Sequence, residues 1–214
     1  MGKKVIVIAP HPDDETLGCG GTLLKHKAQG DEIHWVIAAA ISADETVLIE
    51  KISSKYGFHS THQLNLPVAR FDTLPMADLV AAYGKIFKEI HPEVVYLPHR
   101  GDIHTDHTIT FDAVAACTKW FRYSSVKRVL AYETLSETDF ILNPDSRGFH
   151  PNVFIEISSY LESKIAISKL YANEMGNFPF PRSEEAIRAL SQVRGAASGF
   201  KAAEAFMLLK EIIS

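Results

Sequence analysis

With 214 residues, 46% of them apolar and 22% charged, the chain has material for one sizeable core, given roughly 100–200 residues per domain, and reads as a single domain over 1–214. A net charge of −4 and a pI near 6.2, with no Lys/Arg block, leave no electrostatic footprint for a polyanion, so nucleic acid is not an expected partner. The run after Met1-Gly2-Lys3-Lys4 is too short for a signal-peptide core or a bilayer span, and Cys19 and Cys117 lack the spacing of a zinc ribbon or disulfide framework. No membrane association and a reducing, cytoplasmic setting are the expectations.

The first strand, Lys4 to Ala9, is rich in Val and Ile without polar alternation, the pattern of a strand covered on both faces. A helix is predicted from Thr16 to Gln29, with Gly18, Gly20 and Gly21 allowing close backbone packing near its start and Gly30 closing it. Next come a strand from Glu32 to Ala40, a helix from Thr46 to Tyr56 stopped by Gly57, and a short segment from His62 to Leu66. Ala77 to Ile90 reads as an amphipathic helix ended by His91-Pro92, Val94 to Leu97 as a buried strand, and Asp106 to about Phe121 as a helix. Val126 to Thr134 and Val153 to Ile157 look like strands, and Tyr160 to Asn173 like a helix. Two closing helices are expected, over Glu184–Ala197 and Ala202–Ile213. This β-α alternation predicts an α/β fold, Rossmann-like, with a mostly parallel sheet and helices on both faces.

Two polar clusters follow buried strands: His11-Pro12-Asp13-Asp14-Glu15 and His104-Thr105-Asp106-His107. In an open parallel sheet the strands end on one edge and ligands collect beyond it, so residues about ninety positions apart can meet. His11, Asp14 and His107 make a His2Asp set, which suits a catalytic zinc with a position left for water. Such an ion acidifies water and polarises a carbonyl, which suits hydrolysis of an amide or ester. Asp13, a carboxylate the metal does not need, is the general-base candidate. His104 is the candidate to stabilise the oxyanion and protonate the leaving amine, and Asp106 the residue expected to hydrogen-bond His104 and hold it protonated. A helix N-cap role for Asp106 is an equal alternative. Zinc is the expected ion, although N/O ligands accept other divalent metals.

Other residues carry weaker signals. Glu15 reads as a first-turn acid or a partner that orients a ligand. His26, His34, His59, His62, His91 and His150 have no partner at metal spacing, and His99 stays undecided. Gly18-Cys19-Gly20-Gly21 lacks the spacing of a dinucleotide fingerprint, and no G-x-S-x-G nucleophile elbow occurs. Arg100 and Arg194 could grip a substrate phosphate or carboxylate or serve as surface ion-pair partners. Phe178-Pro179-Phe180-Pro181 reads equally as a substrate-facing lid or a rigid turn.

The runs Ala9-Pro10-His11-Pro12-Asp13-Asp14-Glu15, with Gly20-Gly21-Thr22 after it, and Pro98-His99-Arg100-Gly101-Asp102-Ile103-His104-Thr105-Asp106-His107 resemble the PIG-L or LmbE-like family of zinc-dependent N-acetylglucosaminyl deacetylases. Tyr132-Glu133-Thr134, Pro151-Asn152-Val153-Phe154 and Arg194-Gly195 followed by Ala203-Glu204-Ala205-Phe206 also look like bacterial members. The resemblance implies a Rossmann-like fold, zinc on His11, Asp14 and His107, Asp13 as base, and an N-acylated amino sugar or conjugate as substrate. Members are often oligomeric, so a homo-oligomer is a further expectation.

The chain departs from that pattern in two places. Val47 stands three residues before Glu50 where many members carry a substrate-holding Arg, and Asp102 stands where some place a Tyr against the substrate carbonyl. Asp72, in Phe71-Asp72-Thr73-Leu74, resembles a segment that can bind sugar hydroxyls. The leading expectation is a metal-dependent N-deacetylase of an amino sugar or its conjugate. Behind it stand a broader metallo-amidase on a non-sugar acyl substrate and a non-catalytic sugar- or metal-binding module.

Overall fold

The computed structural model describes residues 2–142 and 148–213. A seven-stranded sheet is built from β1 (Lys4–Ala9), β2 (Glu32–Ala39), β3 (Ser60–Leu66), β4 (Val94–Pro98), β5 (Arg128–Tyr132), β6 (Val153–Glu156) and β7 (Ala203–Glu211). The helices are α1 (Asp14–Ala28), α2 (Ala43–Tyr56), α3 (Met76–Ile90), α4 (Thr105–Ala116), α5 (Leu161–Ser168) and α6 (Glu184–Ala196), with a 3-10 turn at Phe71–Thr73. The strand order is β3-β2-β1-β4-β5-β7-β6. Pairing is parallel from β3 through β5 and antiparallel where β7 meets β5 and β6. The order reverses between β1 and β4, so a crevice opens beyond their carboxyl ends, as expected at such a switch point.

Successive residues of β1 go to opposite faces. Val5, Val7 and Ala9 pack with Cys19 and Leu23 of α1 and Ile49, Ile52 and Tyr56 of α2. Ile6 and Ile8 pack with Leu79, Tyr83 and Phe87 of α3 and Ala113 and Val114 of α4. Both faces are thus covered by helices, which is why the strand is apolar throughout. Cys19 and Cys117 are buried and unpaired. Among the described residues, no helix is long and apolar enough to cross a membrane.

The last expected helix is a strand. Ala203–Glu211 is rich in Ala, Leu, Glu and Lys, good helix formers, yet it fills the gap between β5 and β6, with Phe206 opposite both Tyr132 and Val153. The long-range pairing overrides local propensity. The helix expected to reach Asn173 stops at Ser168, whose hydroxyl donates to the Lys164 carbonyl at 3.1 Å, a bond that competes with helical pairing. The chain then turns to line the crevice.

Helix α1 is broken at Cys19 (φ −143°), and residues distant in sequence take up the freed backbone groups. The Glu204 carboxylate accepts the N–H groups of Gly21 (2.8 Å) and Thr22 (2.7 Å). Lys164 Nζ donates to the Leu17 carbonyl at 2.8 Å and to Glu204 at 2.7 Å. Gly18 lies so close to the Tyr132 ring that a Cβ there would fall 2.2 Å from Cδ2, which is the close packing expected of this glycine cluster.

Candidate metal centre and its cavity

His11 and Asp13 occupy the turn between β1 and α1, and Asp14 opens the helix. The turn is strained: Asp13 has φ +132°, a region costing a non-glycine residue on the order of 1–3 kcal/mol. Its N–H is received by Glu15 Oε2 at 3.2 Å, and Glu15 Oε1 accepts from Tyr171 Oη at 2.7 Å and from Thr16 Oγ1. Glu15 is fully buried, and that burial raises its carboxyl to about 7 against the pull of these hydrogen bonds. It therefore holds the turn from behind through the Asp13 N–H, as a first-turn acid of α1.

Asp14 Oδ2 accepts the His11 backbone N–H at 2.8 Å and lies 3.5 Å from His11 Nδ1 and 3.3 Å from His107 Nε2. His107 comes from the first turn of α4, where the β4 end delivers it across the crevice. One ligand atom from each of His11, Asp14 and His107 falls within 4.8 Å of the others, a spacing one cation can bridge. The far nitrogen of each histidine meets a carboxylate. His11 Nε2 donates to Asp106 Oδ2 at 3.1 Å, and His107 Nδ1 donates to Asp102 Oδ2 at 2.8 Å. Those acceptors assign the tautomers and turn the other nitrogen of each ring to the Asp14 side, the outer-carboxylate arrangement of metal-ligating histidines. The donor set therefore fits a divalent ion of the zinc type.

The charges follow from this packing. Burial opposes charge on His107, but Asp14 and Asp102 outweigh it and lift the imidazole to about 10. Burial likewise opposes charge on Asp14, and His107 and His11 hold its carboxyl well below the usual range. For Asp13, burial and then the adjacent Asp14 push the carboxyl well above the usual range, with Arg182 pulling the other way.

Asp106 does something other than expected. Its carboxylate accepts from His11 and from the backbone N–H groups of Ala69 (2.8 Å) and Phe71 (3.2 Å), so it braces the segment after β3 against the His11 ring. The hydrogen bond between Asp106 and His104 runs from the Asp106 backbone N–H to His104 Nδ1 at 3.1 Å. His104, not Asp106, is thus the N-cap of α4. Burial, then His11 and His107, lower the His104 pKa, which corrects the expectation that Asp106 keeps it cationic. A neutral His104 with Nδ1 accepting carries its proton on Nε2.

A cavity of about 400 Å3 opens beside this group, lined by His11, Asp13 and His104 and on its far wall by residues after β5 and α5. The sequence reading missed that wall. Arg182 donates from Nη1 to Asp13 Oδ2 (2.7 Å) and Glu174 Oε2 (2.8 Å), from Nη2 to Glu137 Oε1 (3.3 Å), and from Nε to Ser136 Oγ (2.8 Å). Only its position next to Phe178-Pro179-Phe180-Pro181 could have drawn notice. That loop's aromatics are exposed and do not line the cavity, whereas Tyr171, Glu174 and Arg182 on either side of it do.

Two substrate-contact expectations are not met. Arg100 is held by both oxygens of Asp112, at 2.6 and 3.0 Å, and Asp72 lies exposed on the 3-10 turn. Neither lines the cavity. Arg194 is likewise paired, with Glu133 at 2.8 and 2.6 Å. Asp102, expected only as the replacement for a tyrosine, anchors His107 and accepts from Thr138 Oγ1 at 2.7 Å. Buried His99 packs edge-on near Phe149, with ring centroids 5.4 Å apart.

The family model for PIG-L, GlcNAc-PI de-N-acetylase, matches residues 6–118, just over half of the chain and the whole His11, Asp14 and His107 group. The chain belongs to the PIG-L family. Within curated relatives, the uncharacterized deacetylase YaiS of Escherichia coli (strain K12) is 28% identical over 180 residues, 78% of this chain and 89% of that one. The diacetylchitobiose deacetylase of Thermococcus kodakarensis is 24% identical over 229 residues, 94% of this chain and 81% of that one. Among solved structures, the conserved protein TT1542 from Thermus thermophilus matches with a TM-score of 0.79 at 23% identity, covering 99% of this chain and 97% of that one. The 4-carboxy-2-hydroxymuconate hydratase GalB from Pseudomonas putida KT2440 matches with a TM-score of 0.75 at 15% identity, covering 99% and 98%. These structural likenesses establish the PIG-L fold, and the hydratase illustrates that one fold serves more than one reaction.

Proposed function

We propose that this PIG-L protein is a metal-dependent hydrolase that removes the N-acetyl group from an amino sugar or its conjugate. His11, Asp14 and His107 would hold the ion, zinc being the first choice and another divalent metal the alternative. A divalent ion held there supplies a Lewis acid that polarises a carbonyl and brings the pKa of water at the site to about 7. The observation that carries the reading is the division of labour in the acidic turn. Asp14 faces both histidines, whereas Asp13, one residue on the other side of the strained bend, faces the cavity and Arg182.

In this reading Asp13 is the general base. Arg182 fixes its Oδ2, so Oδ1 is the atom that takes a proton from the attacking water. A carboxyl with a raised pKa is the better base and holds that proton for the departing nitrogen. His104 donates from Nε2 to the developing oxyanion as a neutral imidazole. Asp102 and Asp106 keep His107 and His11 turned for metal binding. The names of the two curated deacetylases support the reaction class, and the diacetylchitobiose enzyme supports the amino-sugar substrate. A cytoplasmic location is part of the proposal, supported by two buried thiols without a disulfide.

Acetate release from N-acetylated sugars, sugar nucleotides and glycoconjugates tests the reading. Release by the zinc-loaded protein is expected, with loss on chelation and return on adding zinc. Silence across the panel with zinc bound would refute it.

A further inference from the structure

The cavity holds more carboxyl groups than the proposed chemistry uses. Asp13, Glu45, Glu137 and Glu174 all line it, and among the described lining residues Arg182 supplies the one guanidinium, with no lysine beside it. That guanidinium is already committed, since it donates to Asp13, Glu174, Glu137 and Ser136 together. Glu45 is exposed in the first turn of α2, and Glu174, after α5, has a side chain 52% exposed. Both are cavity-lining carboxyl groups open to solvent. Leu48, Val68 and Leu170 line the same cavity and offer an apolar surface for the face of a sugar ring. Arg100 and Arg194, the other cations that could have gripped a phosphate, are each taken by a carboxylate outside the cavity.

We infer that the site takes an uncharged or cationic amino-sugar substrate, such as a glycan already bearing a free amine, and rejects phosphorylated or nucleotide-linked ones. The inference rests on the deacetylase reading above and names the substrate class for it. Hydrolysis breaks the amide C–N bond, water supplies the oxygen of acetate, and the nitrogen leaves with two added protons as an ammonium. The acidic wall therefore faces a cation at the end of every turnover, and a neighbouring free amine meets the same carboxylates on entry. Apart from the ion that His11, Asp14 and His107 would hold, a phosphate finds no unpaired cation among the described lining residues, and the like charges around it act most strongly within the ~8 Å screening length of physiological salt. To reach Arg182 it would have to displace Asp13.

The test compares kcat/KM on the zinc-loaded protein for N,N'-diacetylated, singly deacetylated and phosphorylated forms of one amino-sugar scaffold, at low and high salt. Glu45→Gln with Glu174→Gln removes two charges and keeps both hydrogen-bond acceptors, at Ser42 N and at Arg182. Wild type should prefer the amine-bearing or neutral form over the phosphorylated form by roughly tenfold or more, and both salt and the double variant should narrow that ratio. Equal or better use of the phosphorylated form, or a ratio indifferent to salt and to the variant, would overturn the inference. If none of the three forms releases acetate, the deacetylase reading fails separately. Calorimetry with the fully deacetylated and the phosphorylated forms of that same scaffold then reads the charge preference. Tighter binding of the amine supports it, and tighter binding of the phosphate overturns it.

Discussion

Replacing Arg182 by Met keeps the bulk of the side chain and removes the charge that joins three walls of the site. The side chain is 15% exposed, against 5% for Asp13, 12% for Glu137 and 52% for Glu174. Removing one partner of a buried pair costs roughly 3–5 kcal/mol, whereas an exposed pair such as that with Glu174 contributes only about 0–1 kcal/mol. Asp13 and Glu137 are already raised by burial and escape part of the penalty by protonation, so a loss of about 2–4 kcal/mol near pH 8 is the expectation. The sign with pH follows from linkage. Without the guanidinium the folded-state carboxyl values rise further, the folded state binds more protons than the unfolded chain, and the variant loses stability as pH rises through that window. Urea midpoints of the metal-loaded protein at pH 5.5 and pH 8 measure this, with an unchanged m-value as the control. A loss below about 0.5 kcal/mol at both pH values, the range of an ordinary surface change, would refute the argument that Arg182 neutralises buried carboxylates.

Other expectations come from single contacts. Gly18→Ala puts a methyl 2.2 Å from the Tyr132 ring; overpacking costs about 1–3 kcal/mol, so a melting point lower by roughly 2–12 °C is expected by circular dichroism for a chain of this size. Asp102→Asn removes the carboxylate that receives His107 Nδ1 and should weaken zinc about 10–100-fold in a chelator competition, with a far-UV spectrum like that of wild type. His34, buried against Ser60 and edge-on to His59, is lowered to about 4 by burial and then by His59. The unfolded chain takes up this proton first, so the stability present above about pH 6.5 is lost as pH falls toward 4. Urea midpoints across that range should fall more steeply for wild type than for His34→Gln; parallel curves would contradict it.

The alternation of buried strands and helices gave the architecture to a sequence reader because β1, β2 and β4 are covered on both faces and carry no competing signal. The motif ends of β1 and β4 were legible for the same reason: polar clusters directly after continuous apolar runs stand out. Ala203–Glu211 was not legible, since its residues favour a helix and only the slot between β5 and β6 makes it a strand. The far wall of the cavity was hidden for a different reason. Glu137, Glu174 and Arg182 are scattered singly among loops, and no spacing rule joins them to Asp13 before the chain is folded. Asp106 shows the limit within a motif. Its nearness to His104 in sequence suggested a side-chain pair, but the start of α4 sends its carboxylate to His11 and the segment after β3.

The central claim is that the acidic turn separates the metal ligand Asp14 from the base Asp13. Zinc content and acetate release, measured together on wild type, Asp13→Ala and His11→Ala with the best N-acetylated amino sugar, test it most directly. Asp13→Ala should retain one zinc per chain and lose activity by on the order of 10²–10⁴-fold, the contribution of a positioned base, while His11→Ala should lose the metal and the activity together. Full activity in Asp13→Ala with zinc in place, or loss of zinc from it, would contradict the claim.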